Sequence, residues 1–133
     1  MFIERLFNES NAPLLEQMLR FTTARHQLIA ENVVNISTPN YKQQDLSLDK
    51  FQQLLADRVE QKRDGAPGSV GFSDIGSEVE EPHSGLLFHD GNNRSMEQLM
   101  SDEAKNAMMH NLVIELLRHQ FQTMETALKE RIS

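Results

Sequence analysis

AENVVNISTPNYK, Ala30 to Lys42, begins as a helix and ends as a turn. Ile29, Val33 and Ile36 fall on one helical face. Asn32 and Asn35 interrupt that face with amides, and Ser37-Thr38-Pro39-Asn40 stops it. Pro39 has no N–H and a fixed φ, so a helix cannot run through it. It also biases Thr38 toward an extended backbone. Tyr41 can anchor the turn against a helix while its hydroxyl stays at the rim. The stretch therefore marks the end of one long helix and a change of direction.

Upstream, the helix has a start signal. Asn11 is placed to cap it, and Pro13 sits in the first turn, where a missing N–H does no harm. From there Leu15, Leu19, Thr22, His26, Ile29, Val33 and Ile36 are spaced alternately by four and three, a heptad seam. Before Asn11, Phe2, Ile3, Leu6 and Phe7 form a short amphipathic turn. Downstream, Ser47 can cap a second helix with the apolar face Leu48, Phe51, Leu54 and Leu55, fading near Lys62.

Glycine divides the rest. All six glycines lie between Gly65 and Gly91. Inside a helix each would cost about 1 kcal/mol relative to Ala. Residues 64–93 also carry Asp64, Asp74, Glu78, Glu80, Glu81 and Asp90 and no Lys or Arg, six of the seven net negative charges. Such a segment is expected to be a flexible acidic insert. Its apolar patches, Val70–Phe72 and Leu86–Phe88, have the length of strands of a small β-hairpin. The last helix is announced by Ser95 and Gln98, a capping box. Its seam runs Met100, Ala104, Ala107, His110, Ile114, Leu117, Phe121, Met124, Leu128.

The expected fold is mainly α and elongated. Long N- and C-terminal helices pair as an antiparallel coiled coil, with a short middle helix and the insert between them. Residues 1–62 and 94–133 make one helical core, and 63–93 the insert. Setting Leu19 opposite Leu117 places Leu15 against Phe121, Ile29 against Ala107, Ile36 against Met100 and His26 against His110. The residues expected to carry helix pairing or assembly are Leu15, Leu19, Ile29, Val33 and Ile36, with Ile114, Leu117, Phe121, Met124 and Leu128.

Composition narrows the function. The 133 residues suffice for one domain, and the net charge of −7 argues against nucleic acid or anionic membrane as partner. No stretch reaches the roughly 18 apolar residues of a membrane span. The start, MFIERLFNESNAPLL, lacks the basic, apolar and small-residue regions of a cleaved signal. With no cysteine there is neither a disulfide nor a thiolate metal site. His26, His110 and His119 lie on long helices, none at the four-residue spacing of a helical zinc pair. His83 and His89 sit in the insert near Glu80, Glu81 and Asp90, where any metal would have to order the segment first. No phosphate loop and no nucleophile–base grouping is present. The expectation is a non-enzyme with no cofactor and no metal.

The opening stretch resembles the A-x-N-I-A-N-x-N-T-P-G-Y-K signature of bacterial flagellar rod and hook proteins. Asn32, Asn35, Thr38, Pro39, Tyr41 and Lys42 match it. Val34 replaces a small Ala, Ser37 an Asn, and Asn40 the Gly. Asn is the best non-glycine substitute where φ must be positive. Within that superfamily, length and both ends resemble the proximal rod proteins over residues 5–62 and 90–132. The resemblance implies a structural subunit of the basal-body rod, a tube crossing the periplasm. It implies export through the flagellar type III apparatus without a cleaved signal. The implied partners are copies of itself, other rod proteins, and the basal-body adaptor and export gate beneath. The competing expectation is a small acidic helical adaptor or export chaperone acting as a dimer.

Overall fold

A computed structural model describes residues 11–65, 87–89 and 96–132. Helix α1 (Ala12–Val34), strand β1 (Gln44–Leu46), helix α2 (Leu48–Asp64), strand β2 (Leu87–His89) and helix α3 (Met96–Ile132) follow in order. The chain is mainly helical. The two short strands pair antiparallel, Gln44 with His89 and Leu46 with Leu87. The segment after the turn is therefore the partner of β2. Val70–Phe72, the expected hairpin partner, lies outside the described residues, as do Phe2, Ile3, Leu6, Phe7 and the capping Ser95.

Helix α1 starts where Pro13 allows, but the side chain of Asn11 makes no cap hydrogen bond. The Asn11 carbonyl accepts from the Leu15 N–H at 3.0 Å instead. Helix α2 is capped as its sequence demands: the Ser47 hydroxyl accepts from the Lys50 N–H at 3.3 Å. It runs to Asp64, with Lys62 and Arg63 in the last turn, where cations suit the helix dipole.

Two stripes of α1 are buried, one residue out of phase. Leu15, Thr22 and Ile29 belong to the seam expected from the sequence. The other stripe, Leu14, Met18, Phe21, Arg25, Leu28 and Asn32, faces β1 and α2. Here Phe21, Leu28, Leu46, Phe51 and Leu55 form the apolar core, with Leu14, Met18, Leu48, Leu54 and Met109 against it. The rings of Phe21 and Phe51 stack with centroids 4.1 Å apart. This stack ties α2 back onto α1.

Helix α3 meets α1 through a seam that is polar in the middle. His110 Nδ1 lies 2.8 Å from the Thr22 hydroxyl. That hydroxyl donates to the Leu19 carbonyl, so the imidazole nitrogen donates to it. Asn106, almost fully buried, donates its amide to the Thr22 carbonyl at 2.8 Å. His26 pairs with Glu103. As residue numbers rise along α1, those of its partners fall along α3. The register differs from the expected one by one to two turns: Thr22 meets His110 and not Ile114, and His26 meets Glu103 and not His110. Matched in the expected register, two imidazoles would face each other while Asn106 and Glu103 lost their partners. Leu99 and Val113 are the fully buried apolar residues of α3, whereas Met100, Ala104 and Ala107 are exposed.

Phe51→Ala is expected to destabilise the chain by about 3–5 kcal/mol, measured by urea unfolding followed by far-UV circular dichroism. Val59→Ala, on the exposed side of α2, should stay within about 0.5 kcal/mol of wild type. Equal small effects would contradict the docking of α2.

Candidate functional site

The turn that ends α1 is wired by its own side chains. The Asn35 N–H and its side-chain amide both donate to the Glu31 carbonyl, at 3.0 and 2.9 Å. This satisfies a carbonyl the helix would otherwise leave open. The Thr38 N–H then donates to the Asn35 carbonyl at 2.9 Å, and the Thr38 hydroxyl to Asn35 Oδ1 at 3.3 Å. A second turn follows directly, with the Tyr41 N–H on the Thr38 carbonyl at 3.3 Å. Pro39 and Asn40 occupy its centre. Asn40 has φ of 62°, the positive value the second central residue of a type II turn requires after Pro. Asn tolerates this where most side chains do not.

Asn32 fixes the returning strand. Its amide donates to the Gln44 carbonyl at 2.6 Å, and its Oδ1 accepts from the Gln44 N–H at 3.0 Å. The Tyr41 hydroxyl reaches the same Oδ1 at 3.4 Å. One turn-pair upstream on the same stripe, Arg25 clamps Asp45 with Nε at 2.9 Å and a terminal nitrogen at 3.1 Å. Both side chains are largely buried. Asp45 Oδ1 also accepts from the Leu46 N–H at 2.8 Å. Two consecutive residues of β1 are thus held by two polar residues of α1.

The expected motif residues therefore divide by position. Asn32 is buried, Asn35 and Tyr41 are half-buried, and Thr38, Pro39 and Lys42 are exposed. Val34 is 81 % exposed beside them, so its bulk crowds nothing in the free chain. Of the apolar candidates, Leu15 and Ile29 are buried. Leu19, Val33, Ile114, Leu117, Met124 and Leu128 are half-buried, and Ile36 and Phe121 are exposed. Sequence reasoning missed Arg25, Asp45, Gln44 and Phe21. Spacing held a signal: Phe21, Arg25, Leu28 and Asn32 repeat the three-and-four pattern one residue ahead of the seam.

Among the described residues no three of His, Asp or Glu stand close enough to share a metal ion. No described helix is long and apolar enough to cross a membrane. What the site does is hold a helix end, a double turn and a strand at fixed angles, with an exposed tip.

Asn32→Ala is expected to cost about 2–4 kcal/mol, because it strands two peptide groups of Gln44 away from water. Asn35→Ala, nearer the solvent, should cost about 1 kcal/mol. Chemical unfolding measures both. The Tyr41 phenol is held above its ordinary value by burial first and by the negative charge of Glu31 second. The unfolded chain therefore ionises first, near about 10, and this contribution to stability fades as pH rises past that point. Tyr41 is the sole tyrosine and tryptophan is absent, so ultraviolet titration reads it directly. A midpoint at or below that of free tyrosine would contradict the packing.

No family model matches the chain, and no solved structure matches it significantly. Three curated proteins do, each a flagellar basal body rod protein FlgB. The chain is 22 % identical to that of Borrelia hermsii over 131 residues, 91 % of this chain and 97 % of the relative. It is 28 % identical to that of Bacillus subtilis over 116 residues, 86 % and 89 % of the two chains. With that of Aquifex aeolicus the identity is 25 % over 118 residues, 89 % and 92 %.

Proposed function

We propose that this chain is a structural, non-catalytic subunit of the bacterial flagellar basal-body rod, of the FlgB type. The observation that carries the reading is its similarity to three FlgB proteins along nearly the whole of each chain. The wired turn at Asn32–Tyr41 supports it, since four signature residues pair there, Asn35 with Thr38 and Asn32 with Tyr41.

In physical terms, a subunit that repeats in a tube must present its contact surfaces at constant angles. The Asn32 and Arg25 clamps fix the strand against α1, and the double turn projects Val34, Ile36 and Pro39 outward. Helices α1 and α3 pair as an antiparallel coiled coil, bringing the two ends of the chain into one rod core, 1–62 with 94–133. Residues 63–93 form an insert on it. Neighbours are further copies, other rod proteins, and the adaptor and export gate at the base. The chain reaches the periplasm through the flagellar export apparatus.

The test is complementation of a strain lacking its own copy of the gene. The chain is expected to be exported, to co-purify with basal bodies and to restore swimming. Retention in the cytoplasm on other exported subunits would identify an adaptor or chaperone instead. Pro39→Ala and Asn35→Ala should lower incorporation into basal bodies more than they lower export, because both residues act in the turn. Unchanged swimming with both substitutions combined would contradict a role for the turn in assembly.

A further inference from the structure

Helix α3 carries an apolar row on the side away from α1. His110 points toward Thr22. Two residues turn a helix by about 200°, so Met108 and Leu112 both lie opposite the seam. They are 73 % and 59 % exposed. Four-residue steps extend the row to Met100 and Ala104 on one side and to Leu116 on the other, all exposed. The row spans about 24 Å. A four-spaced row fits the grooves of a helix lying nearly along it, at a crossing of about +20°, and only such a shallow crossing keeps residues level over the length of the row. The best occupant is thus another helix with an apolar stripe.

We propose that this occupant is α3 of a second copy, packed antiparallel about a two-fold axis between Met108 and Leu112. Charge and size choose that axis. Met108 then lies against the partner's Leu112, and Ala104 against the partner's Leu116, small against large. Lys105 falls opposite the partner's Glu115. Asp102 comes level with the partner's Arg118, itself bound to its own Glu115. Between Glu97 and Thr123 no Lys, Arg, Asp or Glu meets a like charge. Moving the axis onto Met108 or onto Leu112 puts Lys105 opposite Asn111 or His119 and loses the pairing. A two-fold contact of this kind uses the same patch on both copies and closes at two. It stands independently of the rod assignment.

The chain has no cysteine, so single thiols can be introduced cleanly. Lys105→Cys and Glu115→Cys proteins, mixed and mildly oxidised, should form a disulfide-linked dimer faster than either protein alone. Sedimentation equilibrium of the unaltered chain should give a concentration-dependent dimer. Leu112→Glu, at an exposed position, should weaken it at least about tenfold by placing a charge in an apolar contact, with the helical dichroism unchanged. A monomer at every concentration, as when the ridge is covered by the chain's own segments, would overturn the proposal. So would equal disulfide rates in the mixture and in the single proteins. Both measurements use purified protein, whereas the rod assignment is read from basal bodies, so one can fail without the other.

Discussion

The fold turns on one side-chain amide. Asn32 offers Gln44 a donor and an acceptor in the spacing a neighbouring strand would use. In an antiparallel ladder the peptide groups of successive residues point to alternate edges. Gln44 therefore turns toward α1, and β1 keeps its other edge for β2. The amide completes an edge that would otherwise be open. It does so at the end of a helix, which makes the angle between α1 and the returning chain a property of one residue. Everything after the turn inherits that angle: Asp45 meets Arg25, Leu46 enters the core, and Ser47 starts α2 with Phe51 aimed at Phe21.

Much of this was legible before the structure. Absent glycine, Pro13, Ser47 and the Thr-Pro turn are local signals, and local physics decides helix starts and stops. The need for a positive φ at Asn40 was legible for the same reason. What escaped was non-local. Arg25 and Asp45 are twenty positions apart in an otherwise ordinary polar background, and only the turn brings them together. Phe21 was passed over because a single heptad seam already accounted for α1. A helix packed on two sides carries two seams, and the second one hides because Arg25 and Asn32 are polar. Their polarity is satisfied across the interface, so it costs little there.

The register of α1 on α3 was missed for a related reason. Apolar spacing repeats every turn, so several registers bury nearly equal apolar area. Polar residues break that tie, as a single buried amide does in coiled coils. Asn106 needs the Thr22 carbonyl, and His110 needs the Thr22 hydroxyl, which fixes the slide between the helices. Thr22 thus serves two donors at once, through two different oxygens. In the sequence the polar seam positions read as interruptions of an apolar pattern, whereas in the fold they select among its equivalent alignments.

Symmetry then separates two kinds of contact that such a chain can make. A tube that grows along its axis needs head-to-tail contacts between different patches, since a two-fold contact ends with two copies. The exposed ridge of α3 is close to self-complementary about the proposed axis, with Lys105 and Glu115 at equal distances from it. The tip at Val34, Ile36 and Pro39 has no such symmetry. An antiparallel pair points its two tips in opposite directions, so the pair and a polar tube are alternative states of the chain, and growth requires the pair to separate. Pairing through the ridge leaves the turn free, so the clamp at Asn32 and the ridge at Met108 answer to separate constraints. Substitutions in one are expected to leave the other's geometry intact, because the side-chain hydrogen bonds of Asn32 and Thr38 run to the turn and to β1.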